Sequence, residues 1–195
     1  MKERVAALVA DAFQDSEYFL PKIALQDQLG LDVEVISTRR EPIEIYSYFT
    51  KIGLLDVNKS IDEADPNDYV GVLVPGGAKS PALLAEDPAI LAFLRKINDD
   101  QKLVASICRG SLLVAKSGIA RGRHLTGFHL EKEFPDLLIR PIVEENGGIW
   151  SDDKPVVIDA NLVSSRHPDD IEYFTGGIRQ WLSEHSRKTA ASTSG

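Results

Sequence analysis

The feature that most constrains this chain is a recurrence of short, wholly apolar runs of small and branched residues, separated by stretches with helical spacing. Residues 5–10, 69–74 and 103–107 have no polar alternation, so each reads as a strand covered on both faces. Residues 16–29 place Phe19, Leu20, Ile23, Ala24 and Leu29 largely at helical intervals and stop at Gly30. Helical readings follow at 81–97 (Leu83, Leu84, Ile90, Leu91, Leu94), at 109–120 with Gly118 near its close, and at 168–184 (Ile171, Phe174, Ile178, Trp181, Leu182). Strands alternating with helices predict an α/β fold, a doubly wound, mostly parallel sheet joined by right-handed crossovers.

The other segments fit around this frame. Residues 33–36 read as a second strand, and 39–60 as a strand-rich excursion containing 43–49 and 54–57. Asp65-Pro66-Asn67-Asp68 is a turn. A short segment at 125–127 precedes a short helix near 131–134, and strands are expected around 139–143, 156–158 and 162–164. With no internal repeat and no linker, residues 1–187 read as a single domain, and the Ser/Thr-rich residues 188–195 as a frayed tail.

Composition narrows the function classes. Lys and Arg number 22 against 30 Asp and Glu, a net charge of −8, which argues against nucleic acid or an anionic lipid surface as partner. A chain of 195 residues buries about 70% of its unfolded surface and needs no covalent staple. With one cysteine, Cys108, and four scattered histidines, neither an internal disulfide nor a metal site is expected. No apolar run approaches the roughly 18–20 residues of a membrane helix, and no signal-peptide stretch follows Met1-Lys2-Glu3-Arg4, so the expected location is cytoplasmic.

In open α/β sheets chemistry gathers where strands end and helices begin. Ala105-Ser106-Ile107-Cys108-Arg109-Gly110-Ser111 places a thiol at such a junction, in the manner of a nucleophile elbow, where a helix N-terminus favours thiolate. Val74-Pro75-Gly76-Gly77-Ala78 offers unhindered backbone N–H groups at a neighbouring strand end, and Gly76, Gly77 and the Arg109 amide could form an oxyanion hole. Each feature has a plainer reading: a lone cysteine is often a small buried hydrophobe, and a Gly-Gly pair is often only a turn.

Taken with Phe13-Gln14-Asp15-Ser16-Glu17-Tyr18-Phe19-Leu20-Pro21, Gly122-Arg123-His124-Leu125-Thr126 and Val163-Ser164-Ser165-Arg166-His167-Pro168, these junctions make the chain resemble the PfpI-like superfamily over residues 5–182. The resemblance implies a flavodoxin-like sandwich, Cys108 as nucleophile and a homodimer or higher homo-oligomer. It maps the family's conserved acid onto Glu17, which would keep or shuttle a proton beside the thiol. A carboxylate in the first turn of a helix is also favourable for the helix dipole alone.

Three positions depart from the protease-like members. Arg109 stands where they have a histidine, Pro81 where they have a glutamate, and Gln14 where the first loop carries its earlier acid. Arginine stays protonated at neutral pH, so the matching positions do not assemble a Cys-His-Glu peptidase. His129 and His167 are the candidate auxiliary residues, each open to a structural reading, while His124 and His185 read as surface. Tyr46, Tyr48 and Phe49 could cover the pocket, pack a second copy or fill the core.

The resemblance and the residues together point to a cysteine-dependent, cofactor-independent enzyme acting on small reactive carbonyl compounds, glyoxalase- or deglycase-like, in stress response. The alternatives are an intracellular cysteine peptidase or amidase, and a non-enzymatic redox-responsive protein using Cys108.

Overall fold

The computed structural model describes residues 2–128 and 138–193, with 186–193 as backbone only. The helix expected near 131–134 lies outside the described residues. In chain order the elements are β1 (Arg4–Leu8), β2 (Phe13–Gln14), α1 (Asp15–Ile23), β3 (Asp32–Ser37), β4 (Ile43–Ser47), β5 (Thr50–Leu55), β6 (Lys59–Ser60) and β7 (Gly71–Val74). Then come α2 (Ser80–Ala85), α3 (Pro88–Asp99), β8 (Leu103–Ile107), α4 (Gly110–Lys116), β9 (His124–Leu125), α5 (Arg140–Glu145), β10 (Ile149–Trp150), β11 (Val156–Asp159), β12 (Leu162–Ser165) and α6 (Ile171–Thr193).

The central sheet has the order β11-β12-β8-β7-β1-β3-β6 and is parallel except for the edge strand β11. This is the mostly parallel α/β sheet that the apolar runs predict. Alternate residues of one strand enter opposite cores. Ala6 and Leu8 of β1 pack with α3 (Ile90, Leu94) and α4 (Leu113, Val114), whereas Val5 and Ala7 pack with Tyr18 of α1 and with Phe174 and Ile178 of α6. Each fully buried Leu, Ile or Phe contributes roughly 1.5–3 kcal/mol, so a polar residue in these strands would be costly.

Three local readings are corrected. Residues 139–143 form no strand; Pro141 has no N–H for a ladder but suits a first helical turn, and α5 starts there. Residues 81–97 form two helices, because Asp87 accepts the Ala89 N–H at 2.8 Å and caps α3 with Pro88 in its first turn. Residues 16–29 start as α1 but widen into a π-helical turn over Ala24–Gln28. The excursion 39–60 contains a hairpin in which β4 pairs antiparallel with β5 and parallel with β2, and it ends in β6 of the central sheet. α6 runs helical past Glu184 to Thr193, through most of the segment expected to fray. Among the described residues, no helix is long and apolar enough to cross a membrane.

Candidate functional site

β8 ends at Ile107 and α4 begins at Gly110, leaving Cys108 on the turn between them. Its φ is +59°, a left-handed conformation that costs an L-residue about 1–2 kcal/mol. The strain is held by neighbours on both sides: the Cys108 N–H donates to the Ser165 carbonyl at 3.0 Å, and its carbonyl accepts the Phe128 N–H at 3.1 Å. Beneath the turn, the Ser111 hydroxyl donates to the Thr126 carbonyl at 2.7 Å, and the Thr126 N–H donates to the Ser164 hydroxyl at 3.0 Å. The expected strained elbow is therefore present.

Glu17, in the first turn of α1, is only 1% exposed. Its Oε2 accepts the Gly76 N–H at 2.8 Å, and the carboxyl also hydrogen-bonds the Cys108 side chain. Burial pushes its pKa up to about 8, against the opposing effect of those two bonds. At neutral pH Glu17 thus keeps its proton. The thiol is not made acidic, as the helix-terminus argument expected. Burial and the adjacent carboxyl push Cys108 up, outweighing the Arg109 amide and charge, which pull it down. Once Glu17 ionises near pH 8, its charge holds the neighbouring thiol up still further.

Gly76 is required here by close approach. A Cβ on it would lie 2.7 Å from the Arg109 nitrogen, 2.8 Å from Glu17 Oε2 and 2.9 Å from Cys108 Cβ. Its N–H is committed to Glu17, so the expected oxyanion role of Gly76 is corrected: it orients the acid. Gly77, with φ +112°, bridges Phe13, and a Cβ there would stand 2.4 Å from the Ala12 carbonyl oxygen. The Arg109 guanidinium donates to the Gly77 carbonyl at 3.2 Å and to the Ala78 carbonyl, clamping this loop to the start of α4.

Cys108 and Glu17 form the floor of an open cleft, whose wall also includes Gly77, Arg109 and His167. His167 Nδ1 accepts the Asp169 N–H at 3.3 Å, and its Nε2 is 3.7 Å from Asp170 Oδ2. The ring thus caps the turn that leads into α6. His129 lies outside the described residues. His124 and His185 are exposed, the latter stacked on Trp181. Among the described residues no group of three or more potential metal ligands comes together.

Two contributions escape sequence reasoning: the contacts of Gln14, noted there only as a departure from the family, and the place of Phe128. Gln14, 5% exposed, accepts the Tyr48 N–H on Oε1 at 2.8 Å and donates from Nε2 to Asp15 Oδ1 at 2.8 Å, tying the β4–β5 hairpin tip to α1. Phe128 lines the cleft from the segment whose N–H holds the elbow. The sequence signals were faint: Gln14 is three residues before Glu17, and Phe128 directly follows Gly127.

The sequence profile of the DJ-1/PfpI family matches residues 3–180. The chain is 33% identical over 168 residues to a deglycase of Thermococcus kodakarensis, covering 86% of this chain and 92% of that one. It is 31% identical over 177 residues to protein/nucleic acid deglycase 2 of Escherichia coli, covering 89% and 94%. Its backbone superposes with a TM-score of 0.79 and 27% identity on a crystal structure from Anabaena variabilis with DJ-1/ThiJ/PfpI-like and ferritin-like domains. That match covers 93% of this chain, which spans about half (48%) of the two-domain protein.

Proposed function

This chain belongs to the DJ-1/PfpI family, and on that premise we propose that it is a cysteine-dependent, cofactor-independent enzyme acting on small reactive carbonyl compounds. The observation that carries the reading is the buried Glu17 carboxyl, pinned by the Gly76 N–H and hydrogen-bonded to Cys108 at the floor of an open cleft. Relatives named as deglycases support the substrate class.

For a 2-oxoaldehyde, Cys108 Sγ adds to the aldehyde carbon while its proton passes through Glu17 to the carbonyl oxygen. The hydrogen on that carbon then leaves as a proton and returns to the adjacent carbon, turning the hemithioacetal into a 2-hydroxyacyl thioester. Water cleaves the thioester, the thiol recovers its proton, and a 2-hydroxy acid departs. The sum is aldehyde plus water with no net electron transfer, so the reaction calls for no redox cofactor. In this proposal the amides of Gly77 and Arg109, two residues that line the cleft, stabilise the oxyanion. A peptidase reading is weaker, because the side chain following Cys108 is an arginine bonded to two carbonyls rather than a base.

The test is 2-hydroxy acid formation from methylglyoxal by wild type, Cys108→Ser and Glu17→Gln. Turnover is expected in wild type, none with Ser, and a severe loss with Gln while thiol alkylation persists. Equal turnover in wild type and Cys108→Ser would end the proposal.

A further inference from the structure

Arg109 serves the reaction above through its backbone N–H, which leaves its side-chain charge without a role. The half-buried guanidinium sits in the cleft wall, where Nη1 donates to the Gly77 carbonyl at 3.2 Å and to the Ala78 carbonyl. Nε is buried without a hydrogen-bond partner, and Nη2 makes no hydrogen bond among the described residues. Two carbonyl dipoles satisfy donors but do not neutralise a charge. Among the described residues no carboxylate does so either, and Cys108 is the group whose charge would bear on Arg109. That thiol and Glu17 both hold their protons at neutral pH. Asp169, the acid at the rim, faces His167 instead, 3.6 Å from Nδ1. A desolvated cation without a counter-ion is costly to keep, and it is kept here beside the nucleophile. A second arginine shows what its open edge suits. Arg166 directs Nε and Nη2 at the Asp170 carboxylate, at 2.7 and 3.1 Å, in a two-donor ion pair. On Arg109 the same two donors are unused.

We propose that the Nε–Nη2 edge of Arg109 receives a carboxylate carried by the substrate, so that the cleft prefers a 2-oxoaldehyde with an anionic arm to a neutral one. The inference rests on Cys108 being the nucleophile and specifies the substrate class of that same site. The planar fork matches a carboxylate in geometry as well as charge, and the ligand supplies the counter-ion that the fold withholds. The reacting end stays at the sulfur, so the arm acts on binding more than on the chemical step.

Cys108 is the only cysteine, so alkylation reports on this cleft alone. The probes are 5-bromo-4-oxopentanoate and its methyl ester, which lose bromide to a thiolate at the same bromomethyl ketone and differ in the charge of the arm. Each rate is divided by that with free 2-mercaptoethanol, and the acid-over-ester ratio cancels any change in thiol acidity. The expected ratio is about tenfold in wild type, against a net charge of −8 that repels anions in general. It should fall to near one in Arg109→Gln, which keeps the backbone N–H and an amide donor for the Gly77 carbonyl. Arg109→Lys, which keeps the charge but not the two-donor edge, should stand about threefold below wild type and carries the test if the Gln variant does not fold by circular dichroism. The kcat/KM ratio of 4,5-dioxopentanoate to methylglyoxal should follow the same order, chiefly through KM. A wild-type alkylation ratio near one, or a ratio unmoved in the folded variants, would overturn the proposal. A carboxylate preference in alkylation without turnover of either oxoaldehyde would instead overturn the proposed reaction and uphold the anion-binding edge.

Discussion

Replacing Glu17 by Gln should change how stability depends on pH. The folded chain holds the Glu17 proton up to about pH 8, whereas the unfolded chain releases it near the ordinary glutamate value of 4.5. Because the folded-state pKa is raised, its stabilising contribution is fully present below about pH 4.5 and is lost as pH climbs towards about 8. Across that window the loss sums to about 5 kcal/mol, at about 1.4 kcal/mol per pH unit. The Gln side chain mimics the protonated acid, accepting the Gly76 N–H with its oxygen and offering an N–H to sulfur, and it does not titrate. The melting temperature of the variant relative to wild type should therefore rise steadily between pH 5 and pH 8, by about 3–6 °C per pH unit for a domain of this size. Reading the difference between the two proteins cancels surface carboxylates such as Asp11, Glu63 and Asp100, whose lowered values give the opposite slope below pH 4. A difference that stays constant from pH 5 to pH 8 would mean that Glu17 is ionised at neutrality, and would refute this account of the site.

Gly76→Ala should lose most turnover and about 1–3 kcal/mol in urea titration, because its Cβ meets backbone and site atoms within 3 Å; full activity would refute the close packing. At position 108 the usual order of Gly and Ala should invert. With φ +59°, Cys108→Gly should be more stable than Cys108→Ala by about 1 kcal/mol in thermal melts, and the reverse order would deny the strain. Alkylation of Cys108 should be slow at pH 6 and still be climbing above pH 9, because burial and the adjacent carboxyl hold the thiol up; a fast, flat profile from pH 6 to 9 would mean an independent thiolate. Ile52 and Leu54 on β5 are more than half exposed, so light scattering at micromolar concentration should exceed 21.5 kDa, and that mass itself would mean a monomer.

The parallel sheet was legible because strands buried on both faces leave no polar positions, a pattern that surface loops do not mimic. Misreadings fell where one residue outweighed local composition. Pro141 turned an apolar stretch into a helix start, and Asp87 with Pro88 cut one apparent helix into two. Cys108 could be read from its strand-to-helix context. Glu17 was legible only through the family resemblance, since its burial depends on β7 bringing Gly76 within hydrogen-bond distance from 59 positions away. The same holds for Gln14, whose partner Tyr48 lies 34 positions distant, and for the Gly76 N–H, which serves the acid instead of an oxyanion. Long-range partners of this kind leave no mark in local spacing.

The bond from Gln14 to the hairpin tip has a further consequence. Gln14 and Glu17 bracket a single helical turn, three positions apart, so one short rigid segment fixes both the buried carboxyl at the bottom of the cleft and the hairpin tip at its rim. The depth of the carboxyl below the hairpin tip is therefore set across one helical turn rather than by how a distant loop settles. Side chains at the hairpin tip can therefore be exchanged, changing what the cleft admits, without moving Glu17 relative to Cys108. In chains built this way, selectivity and chemistry can evolve on separate schedules.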